Sequence, residues 1–214
     1  MKTSLANLRE HYTKAGLDID QADACPFAQF QLWLIDACAS DIVEPNAMTL
    51  ATADKEGVPS ARTVLLKQFD EKGFCFFTNY ASRKGTDIAQ NPKAALVLPW
   101  LALERQIIIK GSVEKVTKQE SETYFHMRPY GSQIGALASL QSQPIPSKQW
   151  LSDRESTLKT QYPEGSIVPL PDFWGGYRVI PHYIEFWQGR PSRLHDRIVY
   201  TIKDHRWTKE RYSP

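Results

Sequence analysis

The sequence predicts an α+β protein, a closed or nearly closed antiparallel β-barrel with helices around it. Three observations carry the prediction. β-rich runs dominate from Ala47 to Lys115, short turn signals between them favour hairpins, and strand patterns return near the C-terminus after a helical stretch.

Taken in order, residues 4–15 read as a helix, and Pro26 sits in the first turn of a second that runs to about Ser40, with Phe27, Phe30, Leu34 and Ile35 along one stripe. Strands follow at Met48 to Ala53, Ala61 to Lys67, Phe74 to Thr78, Ala94 to Leu98 and Gln106 to Val116. Lys55-Glu56-Gly57 and Asp70-Glu71-Lys72-Gly73 supply hairpin turns. A helix begins after Ser82 and stops at Asn91-Pro92, and the next opens on the capping box Thr117-x-x-Glu120 and ends at Arg128-Pro129. A third starts near Ser132 and a fourth covers Ser147 to Gln161. Strands return at Tyr177 to Val179, Tyr183 to Gln188, Leu194 to Tyr200 and Arg206 to Arg211. No repeat or linker divides these elements, so residues 1–214 read as a single domain.

Composition narrows the function. Lys and Arg total 26 against 24 Asp and Glu, a net charge of +2 and too weak a field to grip a nucleic-acid backbone. Any bound anion must be held locally. The longest apolar run, Ala94 to Leu103, is broken by Pro99 and reaches about half the length of a membrane-spanning helix, so no membrane association is expected. The first residues carry regular charges and no apolar secretion core, which predicts a cytoplasmic location. Cys25, Cys38 and Cys75 form no Cys-x-x-Cys pair and are expected as buried, unpaired thiols. His11, His126, His182 and His205 lack metal-ligand spacing, so no metal is expected.

Four places put cations beside hydroxyls or aromatics. In Arg62-Thr63-Val64-Leu65-Leu66-Lys67 a straight strand places Arg62 and Lys67 on opposite faces, so either two ligands are served or the strand bends; solvated strand ends are the plain alternative. Thr78-Asn79-Tyr80-Ala81-Ser82-Arg83-Lys84 delivers two cations to a helix N-terminus, where free N–H groups suit a phosphate. Tyr124 and Arg128 share a helix face just before Ser132 and form a second candidate clamp, although an arginine at a helix C-terminus also satisfies the dipole unaided. In the last segment, Ile184 to Arg197, strand alternation places Arg193, His195 and Arg197 on one face. With Gln188 to Ser192 as the hairpin loop, Trp187 lies opposite Arg193 and Glu185 opposite His195. Such a set is costly to bury without a ligand. No Gly-x-Gly-x-x-Gly, Walker, Gly-x-Ser-x-Gly or His-Glu-x-x-His pattern competes.

Ile184-Glu185-Phe186-Trp187-Gln188, followed after four residues by Arg193-Leu194-His195-Asp196-Arg197, resembles the pyridoxamine 5′-phosphate oxidase family. Arg62 to Lys67, Phe77-Thr78-Asn79, Ser82-Arg83-Lys84, Pro99-Trp100, Leu103 to Gln106, Tyr124-Phe125-His126, Arg128-Pro129, Ser132 to Ala136 and Phe173 to Gly176 resemble further family stretches in the same order. The likeness spans Leu8 to Pro214.

The resemblance implies an FMN-binding split barrel, a homodimer with FMN at the subunit interface, and oxidation of pyridoxamine or pyridoxine 5′-phosphate to pyridoxal 5′-phosphate. Hydride would pass from C4′ to flavin N5, with O2 reduced to H2O2. It further implies that Arg62, Arg83 and Lys84 meet the FMN phosphate, and that Val64, Leu65, Lys67, Phe77, Thr78, Gln106, Gln141, Ser142, Trp187 and Arg197 contact the rest of the flavin. Lys67, Tyr124, Arg128 and Ser132 would take the substrate phosphate, Arg193 and His195 would be catalytic against the pyridine ring, and Arg9 and Tyr12 would belong to a mobile cover within residues 1–20. Glu10, His11 and the acidic Asp18-Ile19-Asp20 depart from some relatives. A non-catalytic flavin or pyridoxal-phosphate carrier on the same barrel is the alternative, and a nucleic-acid-binding barrel is more distant.

Overall fold

The computed structural model describes Tyr12, Lys14, residues 16–204 and residues 206–214. Arg9, His11, His205 and most of the expected helix over 4–15 lie outside the described residues, and Tyr12 and Lys14 are not helical.

The elements are α1 (Pro26–Cys38), β1 (Ala47–Ala53), β2 (Pro59–Leu65), β3 (Gln68–Asp70), β4 (Gly73–Asn79), α2 (Arg83–Gln90), β5 (Lys93–Trp100), β6 (Arg105–Lys115), α3 (Lys118–Met127), α4 (Tyr130–Ala138), α5 (Lys148–Gln161), β7 (Trp174–Gln188), β8 (Asp196–Lys203) and β9 (Arg206–Tyr212). The strands form one sheet in the order β2-β1-β5-β6-β7-β4-β3, with β8 paired to β7 and β9 to β8. The fold is α+β, an antiparallel split barrel with helices, as the sequence predicts. Among the described residues no helix is long and apolar enough to cross a membrane.

Packing gathers the chain into two compact units. One comprises the chain up to Thr49, Leu96–Lys110 and Pro181–Pro214. Here α1 starts at Pro26, whose missing N–H costs nothing in a first turn, and buries Phe27, Phe30, Trp33 and Ala37. Trp33 packs edge-on to Phe186, and Phe30 lies against Trp100. The expected stripe is therefore corrected, because Ile35 is exposed and Leu34 only half-buried. The register of β7 on β8 pairs Trp187 with Arg197 and Gln188 with Asp196.

The other unit comprises Leu50–Ala95 and Gly111–Ile180. Gly73, at φ 143°, turns β3 into β4 in a conformation an L side chain rarely adopts. Ser82 caps α2 by accepting from the Gly85 N–H at 3.4 Å, and Thr117 and Glu120 complete the predicted capping box of α3. Phe125, Ile134, Val168 and Trp174 form a core under α3 and α4. β7 is continuous through Pro181, where the sequence predicts two strands. Of the three free thiols only Cys75 is buried, and Cys38 is exposed, contrary to expectation.

Candidate active site

A cleft of about 850 Å³ opens in the second unit, within the range usual for small-molecule sites. Both predicted clamps line it: Arg62, Arg83 and Lys84, and Tyr124, Arg128 and Ser132. Of the other residues expected to contact the flavin, Val64, Leu65, Lys67, Phe77, Thr78, Gln141 and Ser142 line it too. The choice between opposite faces and a bent strand is resolved by the strand's length: β2 ends at Leu65, so alternation does not carry through to Lys67, and Arg62 and Lys67 share one cleft.

Lys84 is buried, with its Nζ donating to Thr78 Oγ1 at 3.2 Å, Ser82 Oγ at 3.3 Å and Gln141 Oε1 at 3.2 Å. All three acceptors are neutral. Burial and the nearby Arg62 charge push the Lys84 ammonium below its usual pKa. Arg62 donates through Nη1 to Thr52 Oγ1 at 2.7 Å and Leu50 O at 3.2 Å, and through Nη2 to Ser60 Oγ at 2.5 Å.

The second clamp rests on aromatics. Tyr124 stacks on Phe77 at 4.0 Å between centroids, and the Arg128 guanidinium lies 4.7 Å over the Trp174 ring. Arg128 Nη1 is buried without a hydrogen-bond partner. An unpartnered donor on this half-buried cation, facing a cleft with no carboxylate paired to it among the described residues, suits an anion. Ser132 occupies the third position of α4 rather than its opening, since the helix starts at Tyr130. Trp174, Asn79 and Ser139 also line the cleft.

The predicted hairpin lies in the first unit and needs correction. Its loop runs from Gly189 to His195, so Arg193 and His195 are not strand residues alternating with Arg197. Trp187 faces Arg197, and Glu185 faces Val199. Pro191–Arg193 forms a short 3-10 turn in which Ser192 and Arg193 both take positive φ, 58° and 61°. Non-glycine residues at positive φ are strained, and here the strained pair includes the exposed Arg193.

Tyr12, Trp187 and His195 nevertheless cluster, with ring centroids 5.3 Å apart for Tyr12 and His195 and 4.6 Å for Trp187 and His195. Gly189 makes room for Tyr12, because a Cβ there would fall 2.5 Å from the phenol ring. The backbone N–H of Arg190 donates to His195 Nδ1 at 3.1 Å, so the neutral ring carries its proton on Nε2. Burial, then the Arg193 charge, depresses the His195 pKa. Gln106, half-buried on β6, belongs to this unit with Trp187 and Arg197, and none of the three lines the cleft of the second unit.

PhzG from Burkholderia lata, solved in complex with tetrahydrophenazine-1-carboxylic acid, superposes with a TM-score of 0.89 at 27% identity over 96% of this chain and all of that one. A pyridoxamine 5′-phosphate oxidase-related, FMN binding protein from Nostoc punctiforme shares the fold with a TM-score of 0.72 at 15% identity, covering 90% of this chain and all of that one. The architecture is thus that of the FMN-binding split barrels.

Residues 34–161 match the family model "Pyridoxamine 5'-phosphate oxidase", and residues 174–214 match "Pyridoxine 5'-phosphate oxidase C-terminal dimerisation region". Proteins named pyridoxine/pyridoxamine 5′-phosphate oxidase are 53% identical in Rippkaea orientalis, over 98% of this chain and 99% of the relative, and 54% identical in Burkholderia multivorans, over 99% and 100%. The chain belongs to the pyridoxamine 5′-phosphate oxidase family and is an oxidoreductase.

Proposed function

We propose that the protein oxidises pyridoxamine and pyridoxine 5′-phosphate to pyridoxal 5′-phosphate with FMN as cofactor and O2 as acceptor, as a homodimer with FMN at the subunit interface. The observation that carries this is the pairing of two cationic clamps in one cleft, one around Lys84 and one around Arg128, matching two phosphorylated ligands. FMN, when bound, supplies the hydride acceptor at N5 and the route for electrons to O2, which leaves as H2O2.

The chain's own residues then have distinct tasks. Arg62, Arg83 and Lys84 hold the FMN phosphate, and Lys67, Tyr124, Arg128 and Ser132 hold that of the substrate. Val64, Leu65, Phe77, Thr78, Gln141, Ser142, Gln106, Trp187 and Arg197 bind the remainder of the flavin, the last three fitting the role of residues supplied across the dimer. Arg193 orients the substrate and offsets negative charge as it develops. His195, neutral with its proton on Nε2, donates a hydrogen bond to the substrate. Tyr12 and Arg9 belong to the cover.

The test is the visible spectrum of the purified protein, followed by anaerobic addition of pyridoxamine 5′-phosphate. Flavin bands that bleach and return with air support the reading. A protein that stays colourless after FMN is supplied defeats it, and bands that fail to bleach favour a flavin carrier.

A further inference from the structure

Asp87 lies on α2 with its side chain almost fully buried, and its two oxygens serve two different arginines. Oδ1 accepts from Arg83 Nε at 2.8 Å. Oδ2 accepts from the hydroxyls of Thr52 and Ser60, each at 2.7 Å. Those hydroxyls in turn accept from Arg62, Thr52 from Nη1 at 2.7 Å and Ser60 from Nη2 at 2.5 Å. Arg62 Nη2 itself stands 3.7 Å from Oδ2.

A hydroxyl has one proton. Because Thr52 and Ser60 both spend theirs on Asp87, only their lone pairs are left for Arg62. The carboxylate thereby fixes the proton direction of two hydroxyls and, through them, the plane of a guanidinium it does not touch within hydrogen-bond distance. We infer that Asp87 is the positioning residue of the cofactor-phosphate clamp, a single buried carboxylate that aims Arg62 through the Thr52 and Ser60 hydroxyls and Arg83 directly. This rests on the reading that the clamp holds the phosphate of FMN.

Two forces oppose one another at this position, which makes the inference decidable. Removing the Asp87 charge leaves the clamp more positive, so electrostatics alone would tighten an anion. Losing the aim loosens it. Asparagine cannot replace the carboxylate on both sides. If its oxygen faces the hydroxyls, its amide N–H groups oppose Arg83 Nε, and if its amide faces the hydroxyls, their protons swing toward Arg62. Either way a donor confronts a donor, and one arginine is released.

The experiment titrates apoprotein from the purified enzyme with FMN and with riboflavin, which lacks the phosphate, and follows quenching of flavin fluorescence. In Asp87→Asn the FMN affinity is expected to fall about tenfold, the scale of one charge-assisted hydrogen bond, with riboflavin affinity unchanged. Ser60→Ala, which cuts only the Arg62 Nη2 arm, should lose less in the same direction and serves alone if Asp87→Asn does not fold. Tighter or unchanged FMN binding, or equal losses for both flavins, overturns the inference while the wild-type preference for FMN still supports the cofactor reading. Wild-type protein that shows no preference for FMN over riboflavin overturns both.

Discussion

Glu185 and Arg197 form a two-pronged ion pair across β7 and β8, with Arg197 Nε donating to Oε1 at 2.8 Å and Nη2 donating to Oε2 at 2.9 Å. Tyr183 adds a third donor to the same carboxylate, and Arg197 Nη1 reaches Ser213 O at 2.9 Å, tying the C-terminal residues to the hairpin. Burial raises the Glu185 pKa, but the bonds from Arg197 and Tyr183 outweigh it and hold it below the usual carboxylate range.

Glu185→Gln is therefore expected to destabilise the protein by about 1–3 kcal/mol at neutral pH. A carboxyl depressed in the folded state contributes stability above its unfolded pKa and loses it as pH falls through the folded one. Denaturant melts of wild type and variant should be separated at pH 7 and converge in acid. Parallel curves down to low pH would contradict the ion pair.

At the cap of α3, two bonds from Thr117, offset by burial and helped by Arg178, bring the Glu120 pKa down to about 2. The gap in thermal midpoint between wild type and Glu120→Gln should be complete above the ordinary glutamate pKa and close as pH approaches about 2. A gap that widens on acidification would reverse the sign and refute the argument.

Burial first, and the Arg193 charge second, lower the His195 pKa. In Arg193→Ala the His195 midpoint, followed by NMR of the ring protons, should rise toward that of a free histidine. Turnover should be lost while flavin is retained, and unchanged turnover would remove Arg193 from the reaction.

Gly189→Ala places a methyl group against the Tyr12 ring. The ring should be displaced from Trp187 and His195, raising KM with little change in thermal midpoint. A lowered midpoint with unchanged KM would make Gly189 a folding residue instead.

Local signals in the sequence carried through. Thr117 and Glu120 are three residues apart, and their capping box needs nothing distant to form, so it was legible. The hairpin was not, because its register is set by where β8 begins. With Asp196 rather than Leu194 opening the strand, Arg193 and His195 move into the loop. Trp33 replaced Leu34 and Ile35 in the core of α1 because tertiary packing, not helical spacing alone, chooses the buried face. The cations of the cleft are readable by type, whereas Asp87 shows in the sequence only as the partner of Arg83 four residues before it, the spacing of an ordinary helical ion pair. Its link to Arg62 through Thr52 and Ser60 joins residues on three elements and has no signature in any one stretch of sequence.

Lys84 is buried and Arg128 half-buried with its Nη1 out of contact with water, and no carboxylate is paired to either among the described residues. The anions that complete them should therefore govern how long the polypeptide survives, as well as what it catalyses. A ligand bound only by the folded form draws the chain away from its unfolded, protease-sensitive state. If FMN is one of those anions, as proposed, the abundance of this protein in a cell short of riboflavin phosphate should fall along with its activity, so that the supply of the cofactor would also set the amount of polypeptide.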